Sequence, residues 1–356
     1  MARQWILNSQ NGFENSLQLQ EGVRIPLPND LGPNEVLVRM FAASLNYRDL
    51  MIATPGTIAG PIQPPVIPGC DGAGVVEATG SSVRGFRPGD RVVTHLAPKL
   101  VESSGDDAPS TVGDTVAMLG IGSPGTLRSH GVFPEAALVP APNTLDWLPA
   151  STLTCTWTTA WNALFGLEGK TVGPGSWVLI QGTGGVSIAV LQLAVAAGAN
   201  VVGTTSTTAK AARLADLGAS HTINYVSNPE LWGAEARKYT PDGRGFDIIV
   251  DVGGNETLSQ SLAAVRADGL VMLVGGVGDL KAEPVPLFAA LLHTCIIRGV
   301  FGGTRAQFFE LVKYIDEKGI KPAVDDVVFE LAGAKDAYRR LSEKKHFSKV
   351  MIRIDY

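Results

Sequence analysis

Cysteine and charge are both scarce in this chain of 356 residues, and each shortage excludes a class of protein. Three cysteines are too few for disulfide bonds to stabilise a chain of this length, so a disulfide scaffold is excluded. Charged residues make up 18% and the formal net charge is −5, which makes nucleic acid a poor partner. A hydrophobic content of 45% excludes a disordered chain and allows a large core.

Long uninterrupted hydrophobic runs are also missing. Residues 1–16 lack the apolar core of a secretory signal, and the most apolar stretch, 177–202, is broken by the glycine-rich residues 181–185. The final residues 354–356 match neither a prenylation box nor a peroxisomal signal. These absences predict a cytoplasmic protein, although the cytosol and an organelle matrix are not distinguished at this level.

Glycine and proline are abundant instead, with 41 and 22 copies, and predict many tight turns. In the first 150 residues they interrupt short apolar runs such as 35–40, 74–78 and 90–94, a pattern typical of a small, bent antiparallel barrel. Residues 97–130 are polar and rich in glycine and serine, and predict a long excursion on the surface.

Beyond residue 150 apolar strands alternate with helices, which predicts a parallel sheet covered on both faces. The predicted strands are 176–181, 200–205, 221–225, 246–251, 269–275 and, at the end of the chain, 349–354. The predicted helices are 186–197, 209–217, 256–265, 307–317 and 334–344.

The sharpest chemical signal is the junction 181–187, Gln-Gly-Thr-Gly-Gly-Val-Ser, between a predicted strand and a predicted helix. In this context glycines let backbone amides approach a pyrophosphate at the N-terminus of a helix. Ser187 replaces the third glycine of the usual fingerprint, and a glycine-rich turn can also be purely structural. The surrounding strand–helix units favour a dinucleotide site, whose candidate residues are Gly182, Gly184, Gly185 and Val186.

The residues after the next predicted strand indicate NADP(H) rather than NAD(H). NAD sites usually carry an acid about 20 residues past the first glycine, to hold the ribose 2′-hydroxyl. Here residues 202–210 contain hydroxyls and a lysine but no carboxylate, which suits a 2′-phosphate. Ser206 and Lys210 are the candidate contacts. Residues 207–210 could instead simply cap the next helix, and both interpretations can hold together.

Five stretches carry a resemblance to a known enzyme family: 46–50 (NYRDL), 68–76 (PGCDGAGVV), 86–92 (FRPGDRV), 182–187 (GTGGVS) and 217–225 (LGASHTINY). The chain resembles the medium-chain dehydrogenase/reductase superfamily, in particular its quinone-oxidoreductase-like and zinc-type alcohol dehydrogenase-like branches. The resemblance implies an α/β fold. A GroES-like β-barrel catalytic domain would span residues 1–149 and be completed by 300–356, and a Rossmann domain with a doubly wound parallel sheet would span 150–299.

The zinc members of this family bind catalytic zinc through a cysteine, a Gly-His-Glu motif and a later cysteine. The matching positions here hold Asn46, the pair Cys70 and Asp71, and Cys155, and residues 80–150 contain no cysteine for a structural zinc lobe. Since a catalytic zinc needs three good protein ligands, we expect no metal. The alternative is an unusual metal site made of Cys70, Asp71 and Cys155. The two cysteines are better explained as small buried hydrophobes.

Without a Lewis acid, the resemblance implies an NADPH-dependent, zinc-independent oxidoreductase that reduces an activated C=C bond (enone or enoyl) or a quinone by hydride transfer. Asn46 and Tyr47 match the region of the missing ligands and are the candidates for carbonyl contact and proton donation. Tyr47 could instead be core packing, and Arg48 and Asp49 are expected to hold the loop. The alternative functions are an alcohol or aldehyde dehydrogenase and an NADP(H)-binding protein without turnover.

The resemblance also extends the cofactor site along the chain. The further candidate contacts are Thr159, Tyr225, Gly253, Gly275, Phe301, Gly303 and Lys349. Tyr225 and Lys210 match positions that clasp the 2′-phosphate, and Gly253 and Gly275 follow predicted strands, where such sheets bind ligands. A glycine at the end of a strand can equally be a turn residue alone.

Residues 294–301 (TCIIRGVF) match the edge strand through which relatives of this architecture pair. The run is apolar and β-branched with a single charge, so it would be a liability as an exposed sheet edge. We therefore expect a homodimer through 294–301, with a small molecule as the substrate and neither nucleic acid nor membrane as a partner. The alternative is an interior strand covered by the C-terminal helices.

Overall fold

A computed structural model describes residues 1–56, 62, 65–278 and 281–354. Its strands are β1 (Ala2–Leu7), β2 (Leu17–Val23), β3 (Glu35–Leu45), β4 (Asp71–Thr79), β5 (Arg91–Thr94), β6 (His130–Pro134), β7 (Leu138–Pro140), β8 (Trp177–Gln181), β9 (Asn200–Thr205), β10 (His221–Asn224), β11 (Phe246–Asp251), β12 (Val265–Leu273), β13 (Ile296–Gly299), β14 (Val328–Glu330) and β15 (Val350–Arg353). Its α-helices are α1 (Phe13–Ser16), α2 (Tyr47–Ile52), α3 (Pro98–Ser104), α4 (Trp147–Ala150), α5 (Thr158–Phe165), α6 (Gly185–Ala196), α7 (Thr208–Asp216), α8 (Trp232–Arg237), α9 (Asn255–Ala264), α10 (Ala289–Leu292), α11 (Arg305–Lys318) and α12 (Ala334–Ser342).

The chain divides into two compact units. Unit 1 contains Met1–Thr158 and Gly303–Tyr356, and unit 2 contains Thr159–Gly302. Unit 1 is thus made of two separate segments of the sequence, and unit 2 is the stretch between them. The sequence-based division placed the corresponding boundaries after residues 149 and 299.

Unit 1 is built on a mainly antiparallel sheet in the order β14-β15-β3-β4-β5-β7, with β6 pairing with β3 as well. The long strand β3 pairs with β4, β6 and β15 and has register shifts against β4 near Val38 and near Met40. Such irregularities bend a strand and let the sheet curl around a core. Val36, Val38 and Met40 are buried in that core together with Phe133 of β6.

Unit 2 is a six-stranded parallel sheet in the order β10-β9-β8-β11-β12-β13. This is the order of a doubly wound dinucleotide-binding fold, and the strand order reverses between β8 and β11. The strands are apolar and buried because helices cover the sheet; α6, for example, is nearly all apolar and mostly buried. The predicted α/β class is confirmed, with a β-rich unit and a parallel-sheet unit.

One local expectation needs correction, and one open alternative is decided. The predicted surface excursion at 97–130 contains helix α3, and its second half supplies fully buried core residues of unit 1, among them Met118, Leu119 and Leu127. Within the described residues β13 pairs with β12 alone, so it is the edge of the sheet and not an interior strand. No helix in the described part of the chain is long and apolar enough to cross a membrane.

Candidate active site

The glycine-rich junction of unit 2 is a tight turn open to a ligand. Strand β8 ends at Gln181 and helix α6 starts at Gly185. Gly182 has φ +71, and a Cβ at Gly182 or at Gly184 would meet no atom within 4 Å. The backbone therefore leaves room for a group at the N-terminus of α6, where unpaired amides favour an anion such as a pyrophosphate.

Ser187 explains the departure from the usual glycine fingerprint. Its hydroxyl donates to the carbonyl of Gln181 at 2.7 Å, and the residue is buried in the first turn of α6. The third position of the fingerprint normally holds glycine because helix and strand pack closely there. In this chain a hydrogen bond from a small side chain joins the helix to the strand instead.

The other candidate cofactor residues of unit 2 follow the same pattern. Gly182 follows β8, Ser206 follows β9, Tyr225 follows β10, Gly253 follows β11, Gly275 lies just beyond β12 and Phe301 just beyond β13. Because the strands are parallel, their carboxyl ends meet at one edge of the sheet, and the structure gathers these residues there. Ser206, Tyr225 and Phe301 are exposed at this edge.

Lys210 lies in the first turn of α7, whose N-cap is Thr207. The Thr207 hydroxyl accepts a hydrogen bond from the Lys210 backbone at 3.3 Å, so residues 207–210 do cap a helix. The capping hydrogen bond uses the backbone amide of Lys210 and not its side chain. Capping and phosphate binding are therefore compatible, as the sequence suggested.

A buried acid that sequence reasoning missed holds this edge together. One Asp251 oxygen, Oδ1, accepts hydrogen bonds from the amides of Gly253 and Gly254 at 3.1 and 2.9 Å. The other, Oδ2, accepts from Gln181 Nε2 at 3.1 Å and from the Ser261 hydroxyl at 2.6 Å. Asp251 thereby ties the turn after β11 to the end of β8. The sequence signal for this role is that Asp251 is an acid at the end of the apolar run 246–251.

Unit 1 contains a buried polar group that we call the Asp71 cluster, made of Ser44, Asn46, Cys70, Asp71, Cys155 and Lys349. At its centre the Lys349 ammonium pairs with Asp71 Oδ2 at 3.0 Å, and both side chains are almost fully buried. The same ammonium donates to the carbonyl of Leu45 at 2.7 Å and to Asn46 Oδ1. Lys349 thus has three oxygen acceptors for its three hydrogens.

The Asp71 carboxylate is equally well supplied with donors. Its Oδ2 also accepts from the Ser44 hydroxyl at 3.0 Å, and its Oδ1 accepts from the Cys155 backbone amide at 3.0 Å. The Cys70 thiol lies 3.4 Å from the same Oδ1. Cys155 belongs to a π-helical turn, Leu153–Trp157, just before α5, and such turns often occur at functional sites.

The two candidate catalytic residues differ in exposure. Asn46 is buried, with Oδ1 facing Lys349 and Nδ2 donating to Cys70 Sγ at 3.6 Å. Tyr47, the first residue of α2, is 40% exposed, which is not the exposure of a core residue. The structure brings Asn46 into the Asp71 cluster and leaves the Tyr47 side chain accessible.

Arg48 and Asp49 hold the loop at the start of α2. Asp49 Oδ2 accepts from the Asn46 amide at 2.7 Å, and Arg48 Nη1 donates to the Leu119 carbonyl at 3.1 Å. Burial raises the pKa of the Asp49 carboxyl to about 6, against the opposing charge of Arg48. These contacts fix the backbone that presents Asn46 and Tyr47.

His95 is a second buried group that sequence reasoning missed. It follows β5 directly, and its ring lies 6.5 Å from that of Phe308 between centroids. Burial, with a contribution from the nearby Arg305 charge, lowers the pKa of His95 to about 4, so the ring is neutral at pH 7. A histidine just after an apolar strand is the signal that was available in the sequence.

The remaining candidates have clear local surroundings. Gly303 belongs to unit 1, where a Cβ would lie 2.8 Å from the Thr158 carbonyl oxygen, so close packing alone requires glycine there. Thr159 is buried within α5. Lys349, expected at the cofactor, lies in the Asp71 cluster with all three hydrogens engaged.

The donor set of the Asp71 cluster does not fit a catalytic zinc. The Lys349 ammonium already occupies the oxygens of Asn46 and Asp71, and its charge would repel a second cation at this distance. In the described part of the chain, no three or more His, Cys, Asp or Glu side chains are grouped so that they could hold a metal ion. The turn at 182–184, by contrast, leaves room for the pyrophosphate of a dinucleotide at the N-terminus of α6.

Comparison with known proteins identifies the family. Residues 32–143 match the model of the alcohol dehydrogenase GroES-like domain, and residues 185–317 match that of zinc-binding dehydrogenases. A zinc-type alcohol dehydrogenase-like protein of Schizosaccharomyces pombe is 40% identical over the whole of both chains. The chain belongs to the medium-chain dehydrogenase/reductase superfamily. As a member of this superfamily it is an oxidoreductase with a nicotinamide cofactor.

Other members of the superfamily are similar over nearly the full length. A quinone oxidoreductase of Sus scrofa is 29% identical over 94% of this chain and 93% of its own. The crystal structure of a Sinorhizobium meliloti 1021 protein assigned as an alcohol dehydrogenase has a TM-score of 0.86 and 35% identity, over 99% of this chain and 98% of its own. The two-domain fold expected from the superfamily is therefore confirmed.

The Lys349–Asp71 pair yields a stability prediction for this medium-chain dehydrogenase/reductase. Lys349→Met leaves the buried carboxylate without its cation and should lower the free energy of unfolding by about 3–5 kcal/mol. Arg353→Ala removes an exposed pair with Glu330 and should cost less than about 1 kcal/mol. Denaturant unfolding measures both; a loss at Lys349 no larger than that at Arg353 would contradict the central place of the pair.

Proposed function

We propose that this chain is an NADPH-dependent, zinc-independent reductase that transfers hydride to an activated C=C bond, as in an enone or enoyl compound, or to a quinone. The observation that carries the proposal is the Lys349 ammonium in the Asp71 cluster, bound to Asn46 and Asp71, two residues that the resemblance matches to zinc-ligand positions. We expect this reaction in the cytoplasm, the location that the sequence predicts.

The nature of the hydride acceptor follows from the lack of a fitting zinc site. A zinc ion supplies several kcal/mol of charge stabilisation to the transition state of carbonyl reduction. In a conjugated acceptor the developing charge spreads away from the carbon that receives the hydride, so hydrogen-bond donors can stabilise it. An unactivated ketone has no such delocalisation, and it is the poorer substrate for this donor set.

Asn46 and Tyr47 would supply the contacts to the acceptor. Lys349 holds Asn46 Oδ1, so the amide turns its Nδ2 hydrogens away from the ammonium, and one of them can serve a carbonyl oxygen. Tyr47 begins α2 with an accessible side chain, so its hydroxyl can deliver a proton to substrate. Arg48 and Asp49 position both residues through the loop contacts described above.

The cofactor side of the proposal rests on unit 2. The reduced nicotinamide supplies the hydride when the cofactor is bound. Gly182, Gly184, Gly185 and Val186 would receive the pyrophosphate at the N-terminus of α6. Ser206, Lys210 and Tyr225 would hold the 2′-phosphate, because they offer donors and a positive charge where residues 202–210 carry no acid. Thr159, Gly253, Gly275, Phe301 and Gly303 remain proposed cofactor contacts, whereas the hydrogens of Lys349 are engaged in the Asp71 cluster.

Cofactor preference tests the 2′-phosphate assignment. Lys210→Ala should weaken NADPH binding by about 1–3 kcal/mol, the scale of a charge-assisted hydrogen bond, and should leave NADH binding nearly unchanged. Lys238→Ala removes an exposed positive charge elsewhere in unit 2 and is the matched control. Fluorescence titration with each cofactor gives the affinities. An equal loss for NADPH and NADH in the Lys210 variant would remove the assignment.

Metal content and substrate range test the reaction. Protein purified in metal-free buffer should contain no stoichiometric zinc and should oxidise NADPH with enones or quinones at rates that chelators leave unchanged. One zinc per chain, together with chelator-sensitive turnover of simple alcohols, would favour the alcohol dehydrogenase that the name of the Schizosaccharomyces pombe relative suggests. Cofactor binding without turnover on any of these substrates would favour a binding protein.

We further propose that two copies pair through β13. This strand is the edge of the described sheet, and an edge leaves backbone groups free for a partner strand. Beside it lies an exposed apolar surface formed by Leu287, Phe288, Leu291 and Leu292, each between 63% and 82% exposed. Two edges meeting antiparallel about a two-fold axis would cover this surface and continue the sheet.

A single charge at the edge tests the dimer. Ile296, in β13, is 37% exposed, and Ile296→Lys should convert the dimer to monomer because it would bury two lysine charges where the edge strands meet. Val226→Lys places the same charge on an exposed apolar residue next to the opposite edge, and should leave the dimer intact. Light scattering at micromolar concentration decides, and a monomeric wild-type mass would refute the proposal.

A further inference from the structure

The segment just before β15 contains a strained residue next to the ion pair of the Asp71 cluster. Ser348 has φ +60, in the left-handed region that residues other than glycine rarely adopt. It is 3% exposed, and its hydroxyl has no hydrogen-bond partner among the residues described. Lys349, the next residue, carries the ammonium that pairs with Asp71. A strained residue persists only where the surrounding structure fixes it, and such residues are concentrated at functional sites.

The bend at Ser348 is fixed by a buried acid, Asp325, three positions before β14. The backbone amide of Asp325 donates to the carbonyl of Lys349 at 3.0 Å. Its Oδ1 accepts from the backbone amide of Phe347 at 3.4 Å. Asp325 therefore binds the chain on both sides of Ser348. A displacement of the Lys349 backbone would break or lengthen these hydrogen bonds.

Asp325 is itself held by an arginine of α12. The Arg340 guanidinium donates to both carboxylate oxygens of Asp325, through Nη2 to Oδ1 at 2.9 Å and through Nε to Oδ2. The carboxylate side chain is 1% exposed and the arginine side chain 22% exposed, so the pair is largely shielded from water. Two parallel bonds from one guanidinium fix the orientation of a carboxylate as well as its position. Arg340 thus holds Asp325 in the orientation in which Oδ1 receives the Phe347 amide.

The position of Lys349 decides three contacts of its ammonium at once. These contacts are the Leu45 carbonyl at 2.7 Å, Asp71 Oδ2 at 3.0 Å and Asn46 Oδ1. Because a hydrogen bond weakens when its distance or angle departs from the ideal, a small shift of the backbone at Ser348 would weaken all three. Asn46 would then lose the contact that orients its Nδ2 hydrogens, which the proposed reaction uses at the substrate carbonyl.

From these contacts we propose that Asp325 is a positioning residue for the reductase. Through the left-handed bend at Ser348 it sets the place of the Lys349 ammonium. Through that ammonium it sets the direction of the Asn46 amide. Asp325 acts by way of these residues and is not itself catalytic. Its effect on turnover rests on the proposed function, whereas its effect on the Lys349 ion pair does not.

Turnover per bound cofactor tests the positioning role on the full-length protein. With cyclohexenone or benzoquinone as the acceptor, Asp325→Ala should lower kcat by about tenfold to a hundredfold, the effect of a misplaced active-site group. The Kd for NADPH should not change. Asp247→Ala is the matched control, because Asp247 also pairs with two arginines and accepts a backbone amide, that of Trp177 at 2.7 Å, but lies in unit 2. It should lower the stability and leave kcat per bound NADPH unchanged.

A double-mutant cycle shows through which residue Asp325 acts. In an Asn46→Ala background, Asp325→Ala should lower kcat no further, since the amide that it orients is already missing. A residue that only stabilises the fold would lower kcat equally, or not at all, in both backgrounds.

Variants of Ser348 test the bend even where Asp325→Ala fails to fold. Ser348→Val places a β-branched side chain in the left-handed region and should lower kcat as Asp325→Ala does. Ser348→Gly adopts that backbone without strain and should keep the bend and the wild-type kcat. A valine variant as active as the glycine variant would refute the role of the bend.

Denaturant unfolding tests the hold on Lys349 without the reaction. The losses of unfolding midpoint in Asp325→Ala and Lys349→Met should be less than additive in the double variant. Additive losses would overturn the proposal, and so would a fall in kcat for Asp247→Ala as large as that for Asp325→Ala. Absence of reductase activity, or full kcat in Asn46→Ala, would refute the proposed function alone, and the unfolding cycle would then decide whether Asp325 positions Lys349.

Discussion

The buried ion pair between Lys349 and Asp71 is the constraint on which unit 1 depends. Burying two charges costs several kcal/mol per ion unless the pair is close and every remaining donor and acceptor is satisfied. Here the ammonium has three oxygen acceptors and the carboxylate takes donors from Ser44 and Cys155. Since these groups come from β3, β4, the π-helical turn and the start of β15, the last segment of the chain must return to unit 1.

Unit 2 uses a buried acid in a similar way at a different kind of site. Asp251 ends β11 and binds two turn amides as well as the Gln181 side chain at the end of β8. These contacts stiffen the point where the strand order reverses, which is where doubly wound sheets bind ligands. Each unit therefore uses a carboxylate to hold the backbone beside its candidate site. Neither acid needs to touch a substrate to matter for function.

Sequence patterns predicted local elements well and long-range contacts poorly. The strands at 200–205 and 246–251 have the predicted bounds, because apolar runs set off by glycine and polar residues indicate buried strands. The glycine turn at 182–184 was predictable for the same reason. The partners of Lys349 were not, since Asn46 lies 303 positions away and no local pattern encodes that contact. The burial of Met118 and Leu119 was not predicted, because glycine and polar residues surround them in the sequence. A segment of that composition indicates an exposed loop.

The physical difference between an ammonium and a zinc ion explains why the proposed reaction uses a conjugated hydride acceptor. A catalytic zinc keeps an open coordination position, so it touches the substrate oxygen directly. The Lys349 ammonium has three hydrogens and all three are engaged, so its charge can act on a substrate only through a neighbour. In the proposed reaction Asn46 would be that neighbour, because a hydrogen bond accepted by an amide oxygen strengthens the amide as a donor. A polarised amide is a weaker electrophile than a metal, and it is adequate where the acceptor itself delocalises the incoming charge.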